Sequence, residues 1–136
     1  MLINNALPDA NVINPRQGYP AISVAELLAQ GRVDASKGEV LLTAKVSEAM
    51  DTINSQLIGK RYLIAPLTDD QKRNYVKAVC YEAAALIAED NLDFDTTSTG
   101  QIRAENGLSK VTSLRRNVNY AIADLTGRKR NRVKLL

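Results

Sequence analysis

The chain has 136 residues, 45% of them hydrophobic and 24% charged, with a formal net charge of +3, which suits a single domain able to bury a modest core. It has no histidine and one cysteine, Cys80, which excludes an internal disulfide, paired-cysteine zinc sites and the commonest general base. No apolar run approaches the ~20 residues that cross a bilayer, and the opening "MLINNALPDANVINP" lacks the basic start and apolar run of a signal peptide.

With aromatic residues at only 4%, the core must come mainly from Leu, Ile, Val and Ala, a mix that suits packed helices. The first twenty residues contain Pro8, Pro15 and Pro20 and read as an extended arm, either mobile or laid along a neighbouring subunit. At "SVAELLAQG" a capping box, Ser23 with Glu26, opens a short helix with Val24, Leu27 and Leu28 on one face and Gly31 as its stop. "VDASKGE" reads as a turn.

A longer helix is expected over about 39–58, where Leu42, Val46, Ala49, Met50, Ile53 and Leu57 recur at three- and four-residue steps. Gly59 ends it, and "KRYLIAP" is extended up to Pro66. The clearest helix follows. Thr68 and Gln71 form a second capping box, Asp69 and Asp70 favour the positive end of the helix dipole, and Tyr75, Val76, Val79, Cys80, Ala83, Leu86 and Ile87 make a broad apolar face to about Asp90. Its Ala-rich run "YEAAALIA" allows close approach of another helix.

From Asn91 to Gly107 the chain is polar and reads as a long loop, a feature that in a compact domain implies a use. Ser113 then caps a fourth helix through Leu114, Val118, Ala121, Ile122 and Leu125, closed by Gly127. The chain ends in "RKRNRVKLL", whose Val133, Leu135 and Leu136 suit a short strand or a groove. The fold class expected is mainly α: a small antiparallel helical bundle of about four helices, with an extended N-terminal arm at 1–20, a helical domain at 21–127 and a basic C-terminal tail at 128–136.

Charge is unevenly spread. From Arg103 onward nine Lys and Arg face only Glu105 and Asp124, a local net of +7 that leaves −4 for the rest, and this polarity points to an acidic partner at the C-terminal end.

Chemistry finds little purchase. Asp90, Asp93 and Asp95 cluster, but Leu92 and Phe94 interrupt them and no correctly spaced Glu closes a calcium loop; a helix-end cap or turn is the better reading of Asp93 and Asp95. Phe94, between two acids, suits an anchor onto the bundle. "TTSTG" offers hydroxyls without a base to activate them, and no phosphate-cradling glycine motif is present. Cys80 falls on an apolar face and reads as a buried thiol. No cofactor or metal is expected, and no enzymatic activity. Arg115, Arg116, Asn117 and Asn119 on the fourth helix leave open a small nucleic-acid-binding regulatory protein that uses the basic C-terminal segment, although a helix-turn-helix partner is lacking.

"DFDTTSTGQIRAE", residues 93–105, followed by "LRRNVNYAIADLTGRKRNRVKLL", resembles the GpL-type head completion (head stabilisation) proteins of contractile-tailed bacteriophages. The features that match are the "DFDTT" run, the following Gly, the Ala–acid pair, the Arg-rich helix start and the Gly stop before a basic, apolar end. Weaker likeness, in "GYPAISVAELLAQGRV" and "INSQL", extends the resemblance over about 18–136.

The resemblance implies a structural head-to-tail adaptor in the virion neck, assembled in the host cytoplasm. It would form a homo-oligomeric ring of about twelve copies beneath the portal protein. Such a ring extends the channel for packaged double-stranded DNA without sequence-specific binding, and offers a docking surface to the tail-completion or other neck proteins. No membrane is involved. The implied subunit interface comprises Asp93, Phe94, Asp95, Thr96, Thr97, Gly100 and Arg103. The implied portal-docking residues are Arg128, Lys129, Arg130, Arg132, Val133, Lys134 and Leu135.

Overall fold

The computed structural model describes the backbone at residues 10–59, 66–92 and 98–127, and side chains at 10–58, 66–90 and 107–127. Within these lie a minimal antiparallel sheet, β1 (Asn11–Val12) with β2 (Ile22–Ser23), and the helices α1 (Val24–Gly31), α2 (Glu39–Gly59), α3 (Asp69–Leu92) and α4 (Ser98–Thr126). A single 3-10 turn, Ala35–Lys37, precedes α2.

Local sequence accounts for most helix starts. Ser23 Oγ accepts from the Glu26 N–H at 3.1 Å while the Ser23 N–H donates to the Glu26 carboxylate at 3.5 Å. The same reciprocal pairing links Thr68 and Gln71, at 2.9 and 3.3 Å, so both capping boxes form as expected. Gly31 is the last residue of α1, but the left-handed turn falls on Arg32 (φ 53°). The reason for glycine is proximity: a Cβ at Gly31 would stand 2.9 Å from the Ala84 Cβ. Glycine on α1 and the Ala-rich stretch of α3 thus let the two helices pack closely.

α3 is the central element. Tyr75, Val79, Cys80 and Ala83 are fully buried on the expected face, and Ala78, Ala84, Ala85 and Ala88 are also buried, so α3 has neighbours on several sides. From α2 come Leu42, Val46, Ala49, Met50, Ile53 and Leu57, and from α4 Val111, Leu114, Val118, Ala121, Ile122 and Leu125. Three cross-links show the packing to be antiparallel. Lys45 near the start of α2 pairs with Asp90 near the end of α3 at 2.7 Å. Asn54 near the end of α2 meets Tyr75 near the start of α3 at 2.5 Å. Gln71 in the first turn of α3 donates to the carbonyl of Leu125, in the last turn of α4, at 3.3 Å.

Two expectations change. The polar stretch 91–107 is not one loop: α3 continues to Leu92 and α4 already begins at Ser98. Ser113 therefore lies inside α4 and caps nothing. Residues 98–107 offer no apolar stripe to read, but Gln101, Arg103, Ala104 and Glu105 are strong helix formers. Adding turns to a helix already nucleated by packing carries no new nucleation cost.

The N-terminal segment, read as an arm, is laid on its own bundle from Ala10 onward. Ile22 is fully buried and Tyr19 nearly so. The Val24 N–H reaches the Ala10 carbonyl at 2.9 Å, and the Leu67 N–H reaches that of Gly18 at 3.4 Å. Residues 1–9 and the extended reading of 60–65 lie outside the described residues.

Candidate functional site

Of the contact residues singled out from sequence, two fall in α4 and the others lie outside the described residues. Gly100 and Arg103 are in its first turns, with only their backbone described. Asp93, Phe94, Asp95, Thr96 and Thr97 lie outside the described residues, just before it. Arg128, Lys129, Arg130, Arg132, Val133, Lys134 and Leu135 also lie outside them, immediately past the far end, where Gly127 takes a left-handed turn (φ 74°). At 1.5 Å per residue, the 29 residues of α4 form a rod whose ends stand about 40 Å apart.

What fixes the rod is a set of polar contacts with α3. Arg115 donates through Nε and Nη2 to the buried Glu82 carboxylate at 3.0–3.2 Å, and its Nη1 donates to Glu89. Burial disfavours the Arg115 charge, but the two carboxylates outweigh it and hold the guanidinium protonated more firmly than usual. Such forked pairing matches guanidinium geometry to carboxylate geometry. Gln71 secures the other end.

This arrangement removes Arg115 from any nucleic-acid-reading face. Arg116, Asn117 and Asn119 are exposed; Arg116 and Asn119, three residues apart, share a helix face, and Asn117 diverges from Arg116 by about 100°. Arg116 borders a shallow hollow of about 350 Å³ with Leu108, Ser109, Thr112 and Ser113. Asn117 borders a separate groove of about 200 Å³ between α3 and α4, with Asn74, Lys77, Tyr81, Tyr120 and Asp124. Sequence reasoning passed over this groove, because its two walls are about forty residues apart along the chain.

Cys80 is fully buried, and burial pushes its thiol up to about 12, away from the thiolate that reacts. Asp90, once weighed as a calcium ligand, is engaged by Lys45; Asp93 and Asp95 lie outside the described residues. Among the described residues no group of three potential metal ligands assembles, and no helix is long and apolar enough to cross a membrane.

The fold thus defines a helical-bundle protein whose buried polar groups serve packing. A family model for the phage head completion protein (GPL) matches residues 68–136, half of the chain, and the chain belongs to that family. The match spans α3, α4 and the basic tail, and begins at the Thr68 cap. No curated protein and no solved structure matches the chain. Membership assigns it a structural part in completing the bacteriophage head, with other head and neck proteins as partners and the virion as its place.

Proposed function

We propose that this protein is a non-catalytic adaptor of the head–tail neck, forming a ring of about twelve copies beneath the portal once DNA is packaged. The ring extends the channel for double-stranded DNA, helps to retain the genome and offers the tail a surface to dock on. The observation that supports this reading is the length of α4, about 40 Å between its ends, with the two candidate segments adjoining those ends in the sequence. A subunit with contact regions at both ends of a rigid helix can touch its lateral neighbour through one and the vertex machinery through the other.

The segment from Asp93 to Arg103 is assigned to the neighbouring subunit or to the portal and tail junction. Residues 128–136 are assigned to the portal, where basic side chains meet acidic surface and Val133 and Leu135 add apolar or strand-pairing contact. Most C-terminal basic residues then face protein and not the lumen, since phosphate-gripping cations would impede DNA sliding. Arg115, turned onto α3, is in keeping with this.

Deleting residues 128–136 tests the docking role. Loss of binding to portal-containing capsids is expected; undiminished binding refutes it. Imaging the phage neck tests the ring, and an absence of this chain from finished particles would refute that part. Sequence-specific duplex binding by the purified protein would favour the regulatory alternative.

A further inference from the structure

We infer that the N-terminal strap, residues 10–20, is a polar-keyed latch that opens from the bundle as a unit while α3 and α4 stay folded. The key is the Asn14 side chain. Its amide Nδ2 donates to the Tyr75 hydroxyl oxygen at 2.7 Å and to the Pro20 carbonyl at 3.2 Å. The Tyr75 hydroxyl donates to Asn54 Oδ1 at 2.5 Å, and Asn54 Nδ2 donates back to Asn14 Oδ1 at 3.1 Å. The Arg16 N–H adds a further bond to Asn14 Oδ1 at 3.0 Å. A closed ring of three side chains therefore ties the strap to α2 and α3 together, and each of its bonds to the strap passes through one residue.

Apolar contact adds to this: Tyr19 joins the core, and Ala10 and Val12 pack against it. Arg16 stacks over the Tyr19 ring at 4.8 Å, and Tyr19 meets Tyr75 edge-on with centroids 5.1 Å apart. Gly18, at φ 86°, lies so close to Pro66 that a Cβ would stand 2.9 Å from its Cα. The sheet contributes two residue pairs. When the latch opens, Tyr75 and Asn54 keep each other as partners, and the freed Asn14 amide hydrogen-bonds water. Opening uncovers the side of Tyr75 that meets Tyr19, while the facing residues of α3 and α4 stay against each other. Separating α3 from α4 would instead expose their shared core and strand the buried Glu82. Peripheral segments keyed by a few polar contacts open at lower free energy than the central helices. Once released, eleven residues reach about 36 Å, enough to contact a second copy without unfolding the bundle.

Native-state hydrogen exchange on the full-length protein tests the latch independently of any assembly role. The reporters are the amides of Val24 and Leu67, which bond to the Ala10 and Gly18 carbonyls, set against those of Val79 and Ala83 in α3. In the unmodified chain the first pair is expected to exchange at least about a hundredfold faster than the second. Asn14→Ala should speed the strap pair about tenfold further and leave the α3 pair unchanged. Gly18→Ala, which disturbs the strap at a second point, should do the same, with trypsin cleavage after Arg16 rising in parallel. Equal exchange of both pairs in the unmodified chain overturns the latch. So does a strap unaffected by both substitutions, or acceleration of all four amides together.

Discussion

At the scale of single residues, three buried groups carry predictions of two kinds. Glu82 is buried and pairs with Arg115 at 3.0 Å. Arg115→Ala removes that partner and is expected to cost about 2–3 kcal/mol in urea denaturation, because an unpaired buried carboxylate is expensive. Replacing the pair jointly, Glu82→Leu with Arg115→Met, should restore most of the loss, since neither charge is then left alone. A double variant no better than the single one would show that the pair matters for shape and not for charge compensation.

Tyr75 and Cys80 behave differently, for burial raises both above their ordinary values, Cys80 to about 12. The folded chain therefore holds these protons more tightly than the unfolded chain. Their stabilising contribution is complete below the ordinary thiol range and falls as pH rises through about 9 and then about 10. Thermal melting followed from pH 7 to 11 should show a decline starting near pH 9, smaller in Cys80→Ala. The Cys80 thiol should also resist a thiol reagent in the native protein and react once it is denatured.

At the scale of elements, the helix starts are local devices with local costs. Ser23→Ala and Thr68→Ala should each lower stability by about 1 kcal/mol, as lost N-caps do. The exchange of amides in the first turns of α1 and α3 locates that loss. Gly31→Ala acts between elements. An added methyl would stand 2.9 Å from the Ala84 side chain and 3.3 Å from the Cys80 carbonyl. It should push α1 from α3 at a cost of about 1–3 kcal/mol, although alanine is the better helix former. Stabilisation by this change would mean that α1 shifts freely over α3.

At the scale of the whole molecule, the bundle is closed by apolar faces and the Arg115 and Gln71 ties, and the proposed contact segments flank α4 in the sequence. Charge reversal at Arg128, Lys129 and Arg130 together should therefore leave the melting temperature of the free subunit within a few degrees of the parent and abolish capsid binding. A large drop in melting temperature would mean that the tail belongs to the subunit's own core. The family match over 68–136 covers the hairpin and tail. The N-terminal half supplies α1, α2 and the strap that complete the bundle around α3.

What the sequence determined alone is whatever depends on neighbours three or four residues apart: both capping boxes, the core faces of α2 and α3, the burial of Cys80 and the mainly helical class. Such interactions are written in periodicity and cap spacing. The "DFDTT" block also carried the family resemblance. Only the tertiary structure decided the rest. Arg115 finds Glu82 across 33 residues and Asn14 finds Tyr75 across 61, separations at which no local pattern marks a partner. The early start of α4 was hidden because residues without an apolar stripe continue a helix that packing further along has already nucleated. The strap's place followed from a glycine and a proline brought together only when α2 turns back into α3.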